Sequence, residues 1–374
     1  MTKKLLSALL FLMGTVQTIC AQEPYAALSN DNTTLTFYYD NQKEARGGMS
    51  VGPFENNSSW YDQRLSITSV VFDESFAACT TITSTRGWFS SLQNLTSITG
   101  LDRLNTANVT DMRSMFHRCT ALTSLDVSTL NTAKVERMQD MFSNCPSLTS
   151  LDLSNFNTAN VWDMQEMFEN CRGLTTLDLS SFNTANVTQM GSMFEQCKAL
   201  TSLNVHSFNT TKVTDMNEMF RDCSSLTSLV INNFITTNVK DMGQMFDGCT
   251  ALTSLDLSSF DMANVTDVRR MFYECSSLTT IYAYDAWTCN KSTSMFLGCT
   301  SLKGAIAYDE TKTDINYANP TTGYFTLPGQ TAISAIDAAS GQRKGEARYS
   351  LGGQHLSQPQ RGINIVDGKK VVVK

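Results

Sequence analysis

Between residues 105 and 299 the apolar positions of this chain follow two spacings in turn. Val109, Met112, Met115, Phe116 and Cys119 fall at i, i+3, i+6, i+7 and i+10, one face of a short helix. Asn105 and Thr106 stand just before it and supply N-cap oxygens. After the cysteine the period changes. Leu122, Leu125 and Val127 are interleaved with Ser124, Asp126 and Ser128, which predicts a short strand with one buried face.

The whole unit then repeats. Cysteines stand at 119, 145, 171, 197, 223, 249 and 275, an unbroken step of 26. Each follows a Met-Phe pair at fixed distance: Met115-Phe116, Met141-Phe142, Met167-Phe168, Met193-Phe194, Met219-Phe220, Met245-Phe246 and Met271-Phe272. Leu125, Leu151, Leu177, Leu203, Leu229 and Leu255 recur in the strand segment. An eighth pair, Met295-Phe296, comes after a step of 24 and leads to Cys299. No single block can shield its own Met, Phe, Cys and Leu face, whereas stacked blocks cover one another.

The fold class expected is therefore α/β, a leucine-rich-repeat-like solenoid of strand-helix coils with a parallel sheet. Paired strands need about 4.8 Å and packed helices about 8–10 Å, so the strand side is expected to be the concave one.

Outside the repeat the pattern frays. "WFSSLQNLTSI" (88–98) is a blurred copy of "MFHRCTALTSL" (115–125), with Leu92 in the place of the cysteine. Ahead of it lie a hairpin pattern and the apolar strand "ITSVVF". The expected organisation is a signal peptide at 1–21, a β-rich cap with a degenerate repeat at 22–104 and the solenoid at 105–299. A closing cap at 300–327, a linker at 328–346 and a small β tail at 347–374 complete it.

The first residues carry Lys3 and Lys4, then an apolar run over 5–16, with Ala21 placed for cleavage before Gln22; a lipoprotein site at Cys20 is the alternative. The chain has a net charge of −7, but residues 330–374 hold seven Lys/Arg against three Asp/Glu, a balance of +4 that leaves −11 on the remainder. A body of that sign repels phosphate, so a nucleic-acid partner is not expected.

Eleven cysteines in an exported chain invite a disulfide reading. The 26-step ladder has seven members and gives none a reason to pair upward or downward, so buried thiols are favoured. Cys79, Cys289 and Cys299 lie off that step and are the better disulfide candidates. Zinc needs ligands that converge, and these lie along a line. The three histidines, His117, His206 and His355, stand apart, and no phosphate loop or His-x-x-x-His pair is present. No catalytic residues, zinc site or cofactor are expected; an extracellular glycan- or peptide-processing enzyme and a cell-envelope spacer without a ligand are the alternatives to a binding protein.

The outward strand positions form the candidate partner-contact face: Asp126, Asp152, Asp178, Asn204, Val230, Asp256 and Tyr282, with Tyr284 and Trp287 beside them; the apolar and aromatic members fit equally well as the core of the closing cap. Flanking Ser and Thr solvating the carboxylates is the plain reading. A Ca²⁺-binding stripe or the footprint of a basic partner is the sharper one. Sequons such as Asn108-Val109-Thr110 recur because the block does and are not read as glycosylation sites.

The block "LTSLDLSSFNTANVTDMxxMFxxC" resembles the BspA-like leucine-rich-repeat surface proteins of Gram-negative bacteria. That resemblance implies an exported or surface-displayed adhesin that binds host matrix or plasma proteins or other cells, with no catalytic residues. The tail resembles the C-terminal sorting segment of type IX (Por) secretion cargo. The matching positions include Tyr349, Leu351, Gly353, Gln354, Pro359, Gly362, Ile363, Ile365, Gly368, Lys369 and Lys370. It implies contact with the secretion machinery.

Overall fold

The computed structural model describes residues 21–329, 348–350, 362–366 and 369–373. The expected signal peptide and linker fall almost wholly outside these residues. The chain divides into two compact units, Met1–Gly329 and Gln330–Lys374.

The first unit opens with a five-stranded sheet in the order β3-β1-β2-β4-β5. β1 (Glu23–Leu28) and β2 (Thr34–Asp40) form an antiparallel hairpin, with β3 (Met49–Ser50) on the outer edge of β1. β4 (Ser69–Phe72) and β5 (Ser97–Thr99) add in parallel on the other side. The inward residues of these strands build an aromatic core around Phe37, whose ring stacks on Phe72 at 4.7 Å and on Trp88 at 4.9 Å. Both buried indoles find acceptors: Trp60 Nε1 donates to the Trp88 carbonyl at 2.8 Å and Trp88 Nε1 to that of Val51 at 3.0 Å.

From residue 84 the blocks stack in parallel. Single-residue bridges run Ser84, Asp111, Arg137, Asp163, Gln189, Asp215, Asp241, Asp267 and Lys291, each residue pairing with the next. Around this column the Met-Phe segment does not form the expected helix, and among the described residues the only helical turns are 3₁₀. The N–H groups of Met112, Ser114, Phe116 and Arg118 donate to the carbonyls of Arg137, Gln139, Met141 and Ser143 in the next block, at 2.9–3.1 Å. The intervening Met115, His117 and Cys119 close turns onto Met112, Ser114 and Phe116. An α-helix would spend all of these donors within its own segment; here every second one is spent between blocks.

The turns require a left-handed residue at two places per block. Ser114 and Arg118 have φ of +55° and +58°, and Asp140, Asn144, Glu166 and Asn170 take the same role in the following blocks. Apolar side chains at 112, 115, 116 and 119 still point inward, since this chain of turns preserves the spacing that a helix would have shown.

That correction removes the premise of the expected curvature. The rings of Phe116 and Phe142 are 5.7 Å apart and 2° from parallel, and the stack continues at 5.6–5.8 Å through Phe296. The Met-Phe side is therefore spaced much as paired strands are, not as packed helices. On the expected strand side, regular pairing is confined to two places in the repeat. β6 (Thr176–Asp178) pairs with β7 (Ser202–Asn204), and β8 (Ser254–Asp256) with β9 (Thr280–Tyr282), all in parallel. The continuous backbone ladder lies on the opposite side from the one expected.

Burial follows the inward face. Met115, Phe116, Met141, Phe142, Met167, Phe168, Met193, Phe194, Met219, Phe220, Met245, Phe246, Met271 and Phe272 are all 0% exposed. Leu177, Leu229 and Leu255 are buried, while Leu125, Leu151 and Leu203 are half-buried. After Cys299, β10 (Phe325–Thr326) adds in parallel to β9, and Phe325 meets Trp287 edge-on at 4.9 Å. In the second unit β11 (Arg348–Ser350), β12 (Gly362–Val366) and β13 (Lys369–Val373) form an antiparallel sheet in that order.

Candidate interaction surface

The cysteines that looked most suggestive in the sequence are structural. Cys119, Cys145, Cys171, Cys197, Cys223, Cys249, Cys275 and Cys299 are buried and free. Each thiol lies 2.8–3.2 Å from the phenylalanine carbonyl of the preceding block, as Cys145 does from Phe116, and donates to it. Burial pushes the Cys145, Cys197, Cys249 and Cys299 thiols up to about 12. The three cysteines expected to favour disulfides are also free: Cys299 completes the ladder, Cys79 is buried, and Cys289 is half-exposed.

A second ladder runs through the buried threonines. Thr106, Thr132, Thr158, Thr184, Thr210 and Thr236 are buried, and from Thr132 to Thr236 each hydroxyl holds the next block twice. Thr158 Oγ1 donates to the Asn183 carbonyl at 3.0 Å and accepts the Asn183 N–H at 2.8 Å. Its signal is a threonine at the same place in six successive "NT" or equivalent pairs, where the helical spacing predicts caps instead. Asn105 does form a local cap, accepting the Ala107 N–H.

The outward acidic column is built from turns. Asp126, Asp152, Asp178 and Asp256 each accept the backbone N–H two residues on, at 2.9–3.0 Å, and Asn204 does the same for His206 at 3.2 Å. Hydrogen bonds from Ser128, Ser154 and Ser180 hold Asp126, Asp152 and Asp178 below the usual carboxylate range. Asn204 also donates to Asp178 across the blocks at 2.9 Å, so an amide relieves the charge column where a fourth carboxylate would stand.

Val230 occupies the next place in this column and cannot make that turn contact; it is 62% exposed. In the same block Ile235 replaces the asparagine found at 131, 157, 183 and 209, and it is 43% exposed. Trp162, where other blocks carry Thr110 or Thr188, is 41% exposed. Tyr284 is exposed and Tyr282 half-buried, while Trp287 is buried against Phe260 and Phe325 and cannot serve as a contact-face residue.

A carboxylate group on the Met-Phe side also went unread in the sequence. Oxygens of Asp140, Glu166 and Glu169 lie within 4.8 Å of one another, a donor set that suits a hard divalent cation. Burial, then the neighbouring Glu166, pushes Asp140 up to about 8, so at neutral pH a proton already relieves the repulsion. Ser143 Oγ and Asn144 Nδ2 donate to Glu169 at 2.7 and 3.0 Å. The signal was acidic residues 26 apart, at 140 and 166, with 169 one turn further. His117 is half-buried and His206 exposed in separate blocks, and His355 lies outside the described residues.

Solved structures to which the chain is similar include a leucine-rich-repeat protein of Treponema pallidum, at 17% identity, covering 54% of this chain and 86% of that one with a TM-score of 0.32. A leucine-rich-repeat protein from Bacteroides ovatus matches at 16% identity over 75% of this chain and 80% of its own, with a TM-score of 0.35. The functional domain of InlJ from Listeria monocytogenes, described as including a cysteine ladder, matches at 16% identity over 79% and 63% with a TM-score of 0.22. No curated protein matches the sequence. Residues 83–203 and 197–308 match the family described as "Mycoplasma protein of unknown function, DUF285". With more than half of its length matched in two consecutive copies, the chain belongs to the DUF285 family.

Proposed function

We propose that this chain is an exported, surface-displayed scaffold that works by adhesion, binding other proteins through side columns of its repeat stack. In this reading residues 22–104 and 300–327 cap the stack, and residues 347–374 address the chain to its secretion machinery. The observation that carries the proposal is the exposure of Trp162, Val230 and Ile235 at positions where sister blocks carry Thr, Asp and Asn. A repeat whose neighbours show a soluble solution at each place has no folding reason to expose these side chains. Large exposed apolar groups within a polar field are what a partner's contact surface supplies.

The reading is one of binding and not turnover.

The test uses the repeat's own consensus. The full chain and a Trp162→Thr, Val230→Asp, Ile235→Asn variant are immobilised and exposed to serum and solubilised extracellular matrix. A protein retained by the native chain and reduced about tenfold by the variant supports the proposal; equal recovery from both overturns it. Antibody labelling of intact cells, with and without residues 345–374, tests display, and equal surface signal removes any role for the tail.

A further inference from the structure

Where the stack ends, one corner is cut short. Phe260 and Trp287 hold equivalent places in consecutive blocks, with rings 6.3 Å apart and 3° from parallel, and Asp267 bridges Lys291. Between Phe260 and Asp267 the chain passes through six residues, 261–266, but between Trp287 and Lys291 it passes through only three, 288–290. At the preceding corner the next block supplies a cover: Thr236 holds both the N–H and the carbonyl of Asp261, and Asn264 Nδ2 reaches back to the Thr237 carbonyl at 2.7 Å.

At the last corner Met262 stands in the threonine's place, and the shortened segment cannot reach over residues 262–265. Val265 is consequently 6% exposed, while Val135, Val161, Val187, Val213 and Val239 at the same position are 0%. The result is an open cavity of ≈ 730 Å³.

The lining has a definite chemistry. The ring of Tyr284, 60% exposed, offers an apolar face. Asp261 and Asp285 offer acceptors, and Asn264 and Asn290 offer amides. Among the described residues no Lys, Arg or His contributes to the wall. A volume of this order suits a ligand of a few rings. Without a cation an anionic ligand finds no partner, and with two carboxylates it is repelled. Met262, Val265 and Trp287 add apolar groups to the wall, but most of its exposed area is polar, which does not suit an acyl group.

We propose that this cavity binds a pyranose of a neutral or amino sugar. A pyranose carries C–H groups on one face, which can lie on the Tyr284 ring, and vicinal hydroxyls at its edge, which can donate to Asp261 or Asp285 and accept from Asn290. The site is independent of the protein-binding surface, since Trp162, Val230 and Ile235 take no part in its wall.

Saturation-transfer NMR on the full chain with chitotriose, maltotriose and lactose, and with digalacturonic acid as the acidic counterpart, tests this. Transfer concentrated on the C–H protons of one ring of a neutral or amino sugar is expected. Tyr284→Ala should weaken binding about fivefold or more, Asp285→Ala should weaken it too, and Val230→Asp should leave it unchanged. Tyr284 and Asp285 are exposed, so neither change threatens the fold. Absence of transfer to all three sugars, binding unaltered by Tyr284→Ala, or equal binding of digalacturonic acid would each overturn the assignment.

Discussion

Thr132 and Asn157 hold each other twice: the threonine hydroxyl donates to the Asn157 carbonyl at 3.1 Å and accepts the Asn157 N–H at 2.8 Å. One fully buried hydroxyl thus satisfies both backbone groups of a residue in the next block. The same pairing recurs down the stack until Met262 ends it.

Replacing Thr184 by the near-isosteric valine removes both contacts to Asn209 and leaves its N–H and carbonyl without partners. Asn209 is exposed, so water replaces part of what is lost, and each hydrogen bond is worth about 0.5–1.5 kcal/mol net. Urea unfolding of Thr184→Val should show a loss of about 1–3 kcal/mol, and Thr184→Ser, which keeps the hydroxyl, a clearly smaller one. Equal losses would show that the methyl packing, not the hydroxyl, is what matters.

Gln196 tests the turn architecture. Its φ is +58°, and the equivalent places two and four blocks on are Gly248 and Gly298 with φ of +71° and +85°. Left-handed backbone is open to glycine and costly for β-branched side chains. Gln196→Gly should therefore be tolerated, while Gln196→Val should destabilise by about 1–2 kcal/mol. An α-helical segment would reverse the order, and circular dichroism with thermal melts of both variants decides between them.

The buried carboxylates set a pH dependence with a definite sign. Burial first, then a neighbouring carboxylate, raises Asp140 to about 8 and Glu195 to about 7, whereas their unfolded values lie near 4. Between those values the folded chain holds more protons than the unfolded one, so these groups lower stability as pH rises from about 4 to about 8. Asp111 behaves in the opposite way. Burial works against its ionisation, but Arg113 and its backbone N–H hold it below the usual range, so its contribution is lost as pH falls below about 4. Asp140→Asn keeps a residue type that accepts φ of +57° and removes the titrating group. It should raise the melting temperature at pH 8 by a few degrees, about 1 kcal/mol, and leave pH 4.5 nearly unchanged; a parallel rise at both pH values would refute the account.

Thiol chemistry gives a fourth expectation. Among the described cysteines Cys289 alone is not buried, and burial has raised most ladder thiols. Iodoacetamide at neutral pH should modify Cys289 in the native chain and reach the ladder only after unfolding, read peptide by peptide in the mass spectrometer. Rapid native labelling of Cys171 or Cys197 would contradict the buried ladder.

Block length, the inward set of Met, Phe and Cys, and the stacking itself were legible from residue spacing, because a face that no block can shield must recur at the period of its neighbours. The distinction between helix and turn ladder was not legible. Positions i, i+3 and i+7 face one way in both, and what separates them is whether alternate N–H groups bond within a block or to the next. Nothing local reports that choice: the acceptor for Phe116 is the carbonyl of Met141.

Function divides along the same line. The apolar departures at Trp162, Val230 and Ile235 stand out in the one-dimensional pattern, but only packing shows that they face solvent while Trp287 does not. The sequence by itself determined which residues are equivalent from block to block. Tertiary structure decided what each equivalent set does, because the partners of these thiols, hydroxyls and amides lie one block away, reached only when the chain has stacked on itself.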